Sequence, residues 1–284
     1  MKRLLIIGAS GMIGHKLFIY FSKLQNFDTY GIVRKKNILR NNKILNSKKI
    51  IEVEILKDYN FKNIIHTISP NIVINCAGIV KQNPLIKNIS LTIELNSLFP
   101  HNLNLICKKE GCKLIQFSTD CVFSGYKGNY IESDFADSRD IYGRTKFIGE
   151  VIDKNCLTIR TSFIGDELNN RWGLLNWFLS QKKTVKGFKN TIYSGLTTLE
   201  ICRVIEKFVI PNEELNGLYH ISSKPIDKFS LLVLIREIYE KDINIEKDIL
   251  IINDKSLDCQ KFKNYTGYEP IEWDYAIREL KNFH

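Results

Sequence analysis

No apolar run in this 284-residue chain reaches the ~18 residues that a membrane-spanning helix needs, because Gly, Asn or Lys interrupts each one first. Membrane embedding is therefore not expected. Met1-Lys2-Arg3 followed by Leu4 to Ile7 imitates the start of a secretory leader, but that stretch is short and runs directly into a glycine-rich turn. The chain reads as cytoplasmic. Cysteines at paired spacing are also missing. The seven (76, 107, 112, 121, 156, 202 and 259) are odd in number, scattered, and contain no C-x-x-C, which argues against a disulfide frame or a zinc site. Five dispersed histidines add no metal-ligand cluster, so no metal is expected. The sequence shows no internal repeat and no low-complexity linker.

Charge of one sign is in surplus. Lys+Arg number 41 against 31 Asp+Glu, a formal net charge of +10. The excess is spread over Lys/Asn/Ile-rich stretches such as residues 35–49, with no basic stripe interleaved with aromatics, so nucleic acid is not an expected partner. A solvated lysine-rich surface accounts for it, and a cationic cleft for a pyrophosphate is compatible with it.

What is present is alternation. β-rich runs at Arg3–Ile7, Thr29–Val33, Ile50–Ile55, Ile72–Asn75, Lys113–Ser118 and Leu157–Arg160 interleave with helical stretches around Phe61–Ile68, Ile89–Lys109 and Ile141–Lys154. Ile13, Leu17, Phe21 and Leu24 share one face of a helix that opens after the first strand. Such a pattern predicts an α/β fold: a Rossmann-type doubly wound parallel sheet, with ligands at the carboxyl ends of the strands. After Gly165 the regularity loosens. Helices are predicted at Trp172–Ser180, Leu199–Val209, Phe229–Tyr239 and Trp273–Phe283, with a strand at Gly217–Ser222. We divide the chain into a dinucleotide-binding domain over 1–165, with a return near 190–222, and a smaller, interleaved substrate-binding domain over 166–284.

Gly8-x-x-Gly11-x-x-Gly14 follows the first strand and opens a helix. Glycines there permit a tight turn, close approach of a pyrophosphate and close helix–strand packing, and the helix N-terminus faces the anion. Ser10, Gly11, Met12 and Ile13 complete the expected contact segment. The second strand ends in Arg34, where an NAD-preferring site normally carries an acid for the ribose 2′-hydroxyl. A guanidinium suits a 2′-phosphate, so the expected cofactor is NADP(H). Asn75-Cys76-Ala77-Gly78, at another strand end, offers small residues against which a cofactor lies flat.

Tyr142 and Lys146 stand four residues apart at a helix start and so share a face. A phenol of pKa ≈ 10 is a poor acid–base group at neutral pH unless a nearby cation stabilises its anion. Phe117-Ser118-Thr119-Asp120-Cys121 supplies hydroxyls at a strand end, able to hold a substrate carbonyl beside the phenol.

Together, Gly8-x-x-Gly11-x-x-Gly14, Asn75 to Gly78, Ser118 to Gly125 and Tyr142-Gly143-Arg144-Thr145-Lys146-x-x-Gly149-Glu150 resemble the extended short-chain dehydrogenases/reductases. The likeness is to the dTDP-4-dehydrorhamnose reductase branch, and Arg160-Thr161-Ser162, Gly195 to Thr198 and Gly217 to His220 extend it over most of the chain. The resemblance implies a reductase of a nucleotide-linked 4-keto-6-deoxy sugar in bacterial surface-polysaccharide synthesis. In it Thr119 orients the ketone, Tyr142 protonates it, Lys146 tunes the phenol, and Asn96 supports the cofactor region. Related dehydratases carry Thr-Asp-Glu where this chain has Thr119-Asp120-Cys121, so dehydration is not expected. The stretch from Arg160 to Gly195, with Arg171, Trp172 and Trp177, more closely resembles reductases of UDP-linked 6-deoxy-N-acetylhexosamines. Expected substrate contacts are Thr119, Asp120, Cys121, Tyr142, Arg171 and Trp172. A nucleotide sugar is the expected partner, with a homodimer as an open assembly state. A 4-epimerase and a non-catalytic NADPH-binding regulatory subunit are the alternatives on this fold.

Overall fold

The computed structural model describes residues 1–36, 48–57, 61–168 and 171–283; residues 37–47 of the basic stretch lie outside them. The chain folds into two interleaved units. The first comprises Met1–Ser118, Asp140–Ile159 and Glu213–Leu218; the second comprises Thr119–Arg139, Arg160–Asn212 and Tyr219–His284. The exchange between units is finer than the expected cut after residue 165. The chain leaves the first unit at the end of a central strand, immediately after Ser118.

In chain order the first elements are β1 (Lys2–Ile7), α1 (Met12–Ser22), β2 (Phe27–Val33), β3 (Ile50–Glu52), α2 (Phe61–Ile68) and β4 (Ile72–Asn75). Next come α3 (Ile89–Ile93), α4 (Phe99–Glu110), β5 (Lys113–Phe117), α5 (Ile141–Ile148) and β6 (Cys156–Arg160). The rest are β7 (Phe163–Ile164), α6 (Leu174–Ser180), β8 (Val185–Phe188), β9 (Thr191–Tyr193), β10 (Leu196–Thr197), α7 (Thr198–Val204), β11 (Gly217–His220), β12 (Ile226–Asp227), α8 (Lys228–Ile238), β13 (Ile245–Asp248), β14 (Asn253–Asp254), α9 (Gln260–Thr266) and α10 (Trp273–Asn282).

Seven strands form one sheet in the order β11-β6-β5-β4-β1-β2-β3. Every pairing from β6 to β3 is parallel, with Leu4 opposite Thr29 on one side and Ile72 on the other. Strand order reverses direction between β1 and β4, and a crevice for a ligand opens at the carboxyl ends of such a pair. The strands read as unbroken apolar runs because both faces are covered. Leu5, Ile7, Val73, Leu114 and Cys156 pack with Ile65, Leu103 and Phe99 from the helices.

Two predicted helices differ from expectation for local reasons. The stretch expected as one helix over Ile89–Lys109 is interrupted by a π-helical turn at Glu94–Leu98. Pro100 has no N–H to offer the carbonyl of Asn96 four residues back, and the Phe99 N–H bonds Glu94 instead. The helix expected to run to Lys154 stops at Ile148. Gly149 packs so tightly that a Cβ there would lie 1.9 Å from the Asn96 carbonyl oxygen. The strand expected over Ile50–Ile55 pairs only through Glu52. In the second unit the short strands β7 to β10 and β12 to β14, and helix α9, carry too few residues to show a period in the sequence.

Candidate active site

The first unit builds its turn from two glycines whose replacement the backbone forbids. Gly8 has φ +82°, and a Cβ there would come within 2.9 Å of the Ala77 nitrogen. A Cβ on Gly14 would lie 2.1 Å from the Gly8 carbonyl oxygen, so α1 is pressed against the turn. The N-terminus of α1 has no side-chain cap and no acid in its first turn, which leaves its positive dipole end available to an anion. Ser10 and Met12 are half-buried, Gly11 is exposed and Ile13 is in the core. Arg34 is exposed just beyond β2.

At the end of β4 the Asn75 side chain is spent inside the protein. Its Nδ2 donates to Gln116 Oε1 at 2.8 Å, and its Oδ1 accepts from the Ala77 N–H at 3.1 Å. Asn75 thereby shapes the turn that carries Cys76, Ala77 and Gly78. Burial pushes the Cys76 thiol well above its usual pKa and keeps it neutral. Asn96, fully buried in the π turn, grips the backbone of Ile79 in both directions: Oδ1 accepts from its N–H at 2.8 Å and Nδ2 donates to its carbonyl at 2.9 Å. The same Nδ2 reaches Thr145 Oγ1 at 3.3 Å. One amide therefore ties the loop after β4 to the helix that bears Lys146.

That helix, α5, starts where Asp140 accepts from the Gly143 N–H at 2.8 Å. Tyr142 is half-buried in its first turn. Lys146, one turn on, is 7% exposed and donates to the Phe117 carbonyl oxygen at 2.6 Å. Burial pulls its pKa down from 10.5 to about 8, opposed by the field of Glu150. Glu150 in turn accepts from Ser118 Oγ at 2.7 Å. Sequence reasoning gave Glu150 no role and offered Ser118 only among the hydroxyls for a substrate carbonyl, whereas its hydroxyl is committed to Glu150. The repeat of Glu one turn beyond Lys146 was the available signal, and only the fold reveals its partner.

The second unit opens with Thr119, whose hydroxyl donates to Asp120 Oδ1 at 3.1 Å and accepts from the Cys121 N–H at 3.1 Å. Ser162 Oγ donates to the other Asp120 oxygen at 2.9 Å. The carboxylate is thus held by two hydroxyls, and the Thr119 proton is directed at Asp120. Burial and the adjacent Asp120 carboxylate push the Cys121 thiol up to about 12, too weak an acid to replace the missing glutamate of a dehydratase. Arg171 and Trp172 lie exposed in the loop before α6. Arg160 and His220, from two of the resembling segments, are core residues. The Arg160 guanidinium lies 5.1 Å from the Phe123 ring centroid and donates to His220 Nε2 at 3.3 Å, while His220 Nδ1 donates to the Tyr130 carbonyl at 3.0 Å. So the structure gathers the glycine turn, Asn75 to Gly78, Asn96, Tyr142 and Lys146 in the first unit, and Thr119 to Cys121, Arg171 and Trp172 in the second.

The family model described as the RmlD substrate binding domain matches residues 1–247. The chain belongs to this family. Over its full length it is 22% identical to the dTDP-4-dehydrorhamnose reductase of Aggregatibacter actinomycetemcomitans, covering 100% of this chain and 99% of that one. The crystal structure of a Bacillus anthracis dTDP-4-dehydrorhamnose reductase in complex with NADP superimposes with a TM-score of 0.80 at 21% identity, over 99% of this chain and 98% of that chain, a likeness of fold. The methionine adenosyltransferase 2 subunit beta of Mus musculus is 27% identical over 156 residues, 54% of this chain and 44% of that protein. Among the described residues of this RmlD-family chain, no helix is long and apolar enough to cross a membrane.

Proposed function

We propose that this RmlD-family protein is an NADPH-dependent reductase of a nucleotide-linked 4-keto-6-deoxy sugar, either dTDP-4-dehydrorhamnose or a UDP-linked 4-keto-6-deoxy-N-acetylhexosamine, serving cytoplasmic synthesis of bacterial surface polysaccharide. The observation that carries the reading is the buried Lys146 ammonium, one helical turn from Tyr142, in the unit that holds the Gly8–Gly14 turn.

The residues fit a dinucleotide. Gly8 and Gly14 let the turn, the end of β4 and α1 pack at distances that any Cβ would prevent, and the uncapped start of α1 suits a pyrophosphate. Arg34 is the candidate for a 2′-phosphate, and Asn75 to Gly78 with Asn96 support the neighbouring face. Bound NADPH would supply the hydride that reaches the carbonyl carbon. Tyr142 gives its phenolic proton to the carbonyl oxygen, and Lys146 lowers the cost of the phenolate left behind. Thr119 orients the ketone once its hydroxyl turns from Asp120. Asp120, Cys121, Arg171 and Trp172 are the proposed contacts to the remainder of the substrate.

NADPH oxidation with each of the two ketones named above tests the proposal. Turnover of at least one, lowered by about 10²–10⁴ in Tyr142→Phe, is expected. No turnover with either, nor with a wider panel of nucleotide-linked ketones, would discard the reading. The similarity of part of the chain to a methionine adenosyltransferase subunit beta favours a second reading, a non-catalytic NADPH-binding regulatory subunit. A stable enzyme partner in a pull-down, together with no turnover, would select it. A 4-epimerase would instead retain NAD(H) through purification.

A further inference from the structure

A lysine ammonium stripped of water is driven toward the neutral amine, and a neutral amine cannot stabilise a phenolate. Lys146 faces this problem on every side. Its Nζ meets the Phe117 carbonyl oxygen from the end of β5. The ionisable groups acting on it are the Cys76 thiol from the end of β4 and the Glu150 carboxylate just past its own helix. The thiol is held neutral by burial, so it supplies no countercharge at working pH. Glu150 is the anion. It is itself 9% exposed, and Ser118 Oγ anchors it at 2.7 Å. Two consecutive residues at the end of β5 thus fix the cation through a carbonyl and the anion through a hydroxyl.

We infer that Glu150, anchored by Ser118, is a positioning residue whose charge keeps Lys146 protonated in its buried seat. The electrostatic part stands on the first unit alone; its consequence for catalysis rests on the reductase reading. Removing the carboxylate leaves desolvation unopposed, and the Lys146 pKa falls from about 8 toward neutrality. A lysine that must be charged then fails at lower pH, so the alkaline limb of the rate profile moves down with it.

The test has two arms. In protein labelled with ¹³C-lysine, without cofactor or substrate, the Lys146 Cε signal is assigned through Lys146→Arg and titrated in wild type, Glu150→Gln, Glu150→Asp and Ser118→Ala. The expected order of Lys146 pKa is wild type, then Glu150→Asp and Ser118→Ala, then Glu150→Gln about one pH unit below wild type. An unchanged titration in Glu150→Gln overturns the inference. If that variant does not fold, an unchanged titration in Ser118→Ala and Glu150→Asp overturns it equally. In the second arm, the kcat/KM profile for NADPH-dependent reduction of dTDP-4-dehydrorhamnose or its UDP-linked counterpart should be about threefold lower in Glu150→Gln at about pH 7.5, with the deficit shrinking as pH falls. A uniform loss at all pH values would mark a merely structural role. Absence of turnover in the wild type would sink the reductase reading, while the titration still decides the part played by Glu150.

Discussion

Lys146 in the first unit and His220 in the second are both buried nitrogen bases, and burial depresses both. The lysine falls to about 8 and the histidine to about 3. One cause leaves opposite charge states at neutral pH, because 8 lies above the working range and 3 far below it. Neighbours explain the rest. Lys146 has a carbonyl oxygen and the field of Glu150, whereas His220 has the Arg160 guanidinium beside Nε2 and can serve only as a neutral acceptor there. A buried base held charged stores a cost that chemistry can use; a fully buried imidazole held neutral with both nitrogens committed, as in His220, is packing. Burial alone therefore does not separate a working residue from a structural one. The countercharge does.

The sharpest way to break this contrast is Lys146→Met. Turnover should fall by about 10²-fold or more, and chemical denaturation should show lower stability, because the buried Glu150 carboxylate and the Phe117 carbonyl both lose their cation. Unchanged turnover in this variant would place Lys146 with His220 as packing. Next in size is acid sensitivity. His220 titrates near 6.5 when unfolded and near 3 when folded, so the native state binds fewer protons between these values. Its contribution is complete above pH 6.5 and is lost as pH falls toward 3, about 2–3 kcal/mol by about pH 4.5. Urea titrations at about pH 7 and 4.5 should show that loss, and His220→Gln should flatten the slope between them. For Lys146 the same logic gives stability that rises with pH from 8 to 10.5, a limb that Lys146→Met removes.

Gly14→Ala probes the turn rather than the bases. A methyl 2.1 Å from the Gly8 carbonyl must displace backbone, costing about 1–3 kcal/mol and weakening NADPH binding, read by cofactor fluorescence and thermal melting. Ser162→Ala, which removes one of the two hydroxyls on Asp120, should cost about 1–2 kcal/mol, read by urea denaturation; an unchanged midpoint would show that this hydroxyl adds nothing to the hold on Asp120.

Much of this was legible before the fold. The glycine turn, the start of α5 at Ile141 and the Tyr142–Lys146 spacing are local: each depends on residues within six positions of one another. The strands β1, β4, β5 and β6 were read to within a residue, since a parallel strand covered on both faces is a short apolar run bounded by breakers. The π turn was not read, although Pro100 marks the hydrogen bond that fails. Nor was the use of Asn75, whose amide bonds Gln116 forty-one residues later.

The sequence by itself determined the class of fold, the place of the glycine turn and the pair of side chains proposed for proton transfer, because each is encoded in periodicity or in a spacing of a few residues. Only the tertiary structure decided the exchange of chain between units after Ser118, the grip of Asn96 on Ile79, and the charge states of Lys146 and His220. Those depend on which groups from distant segments share a water-free volume, and a one-dimensional order of residues carries no distances.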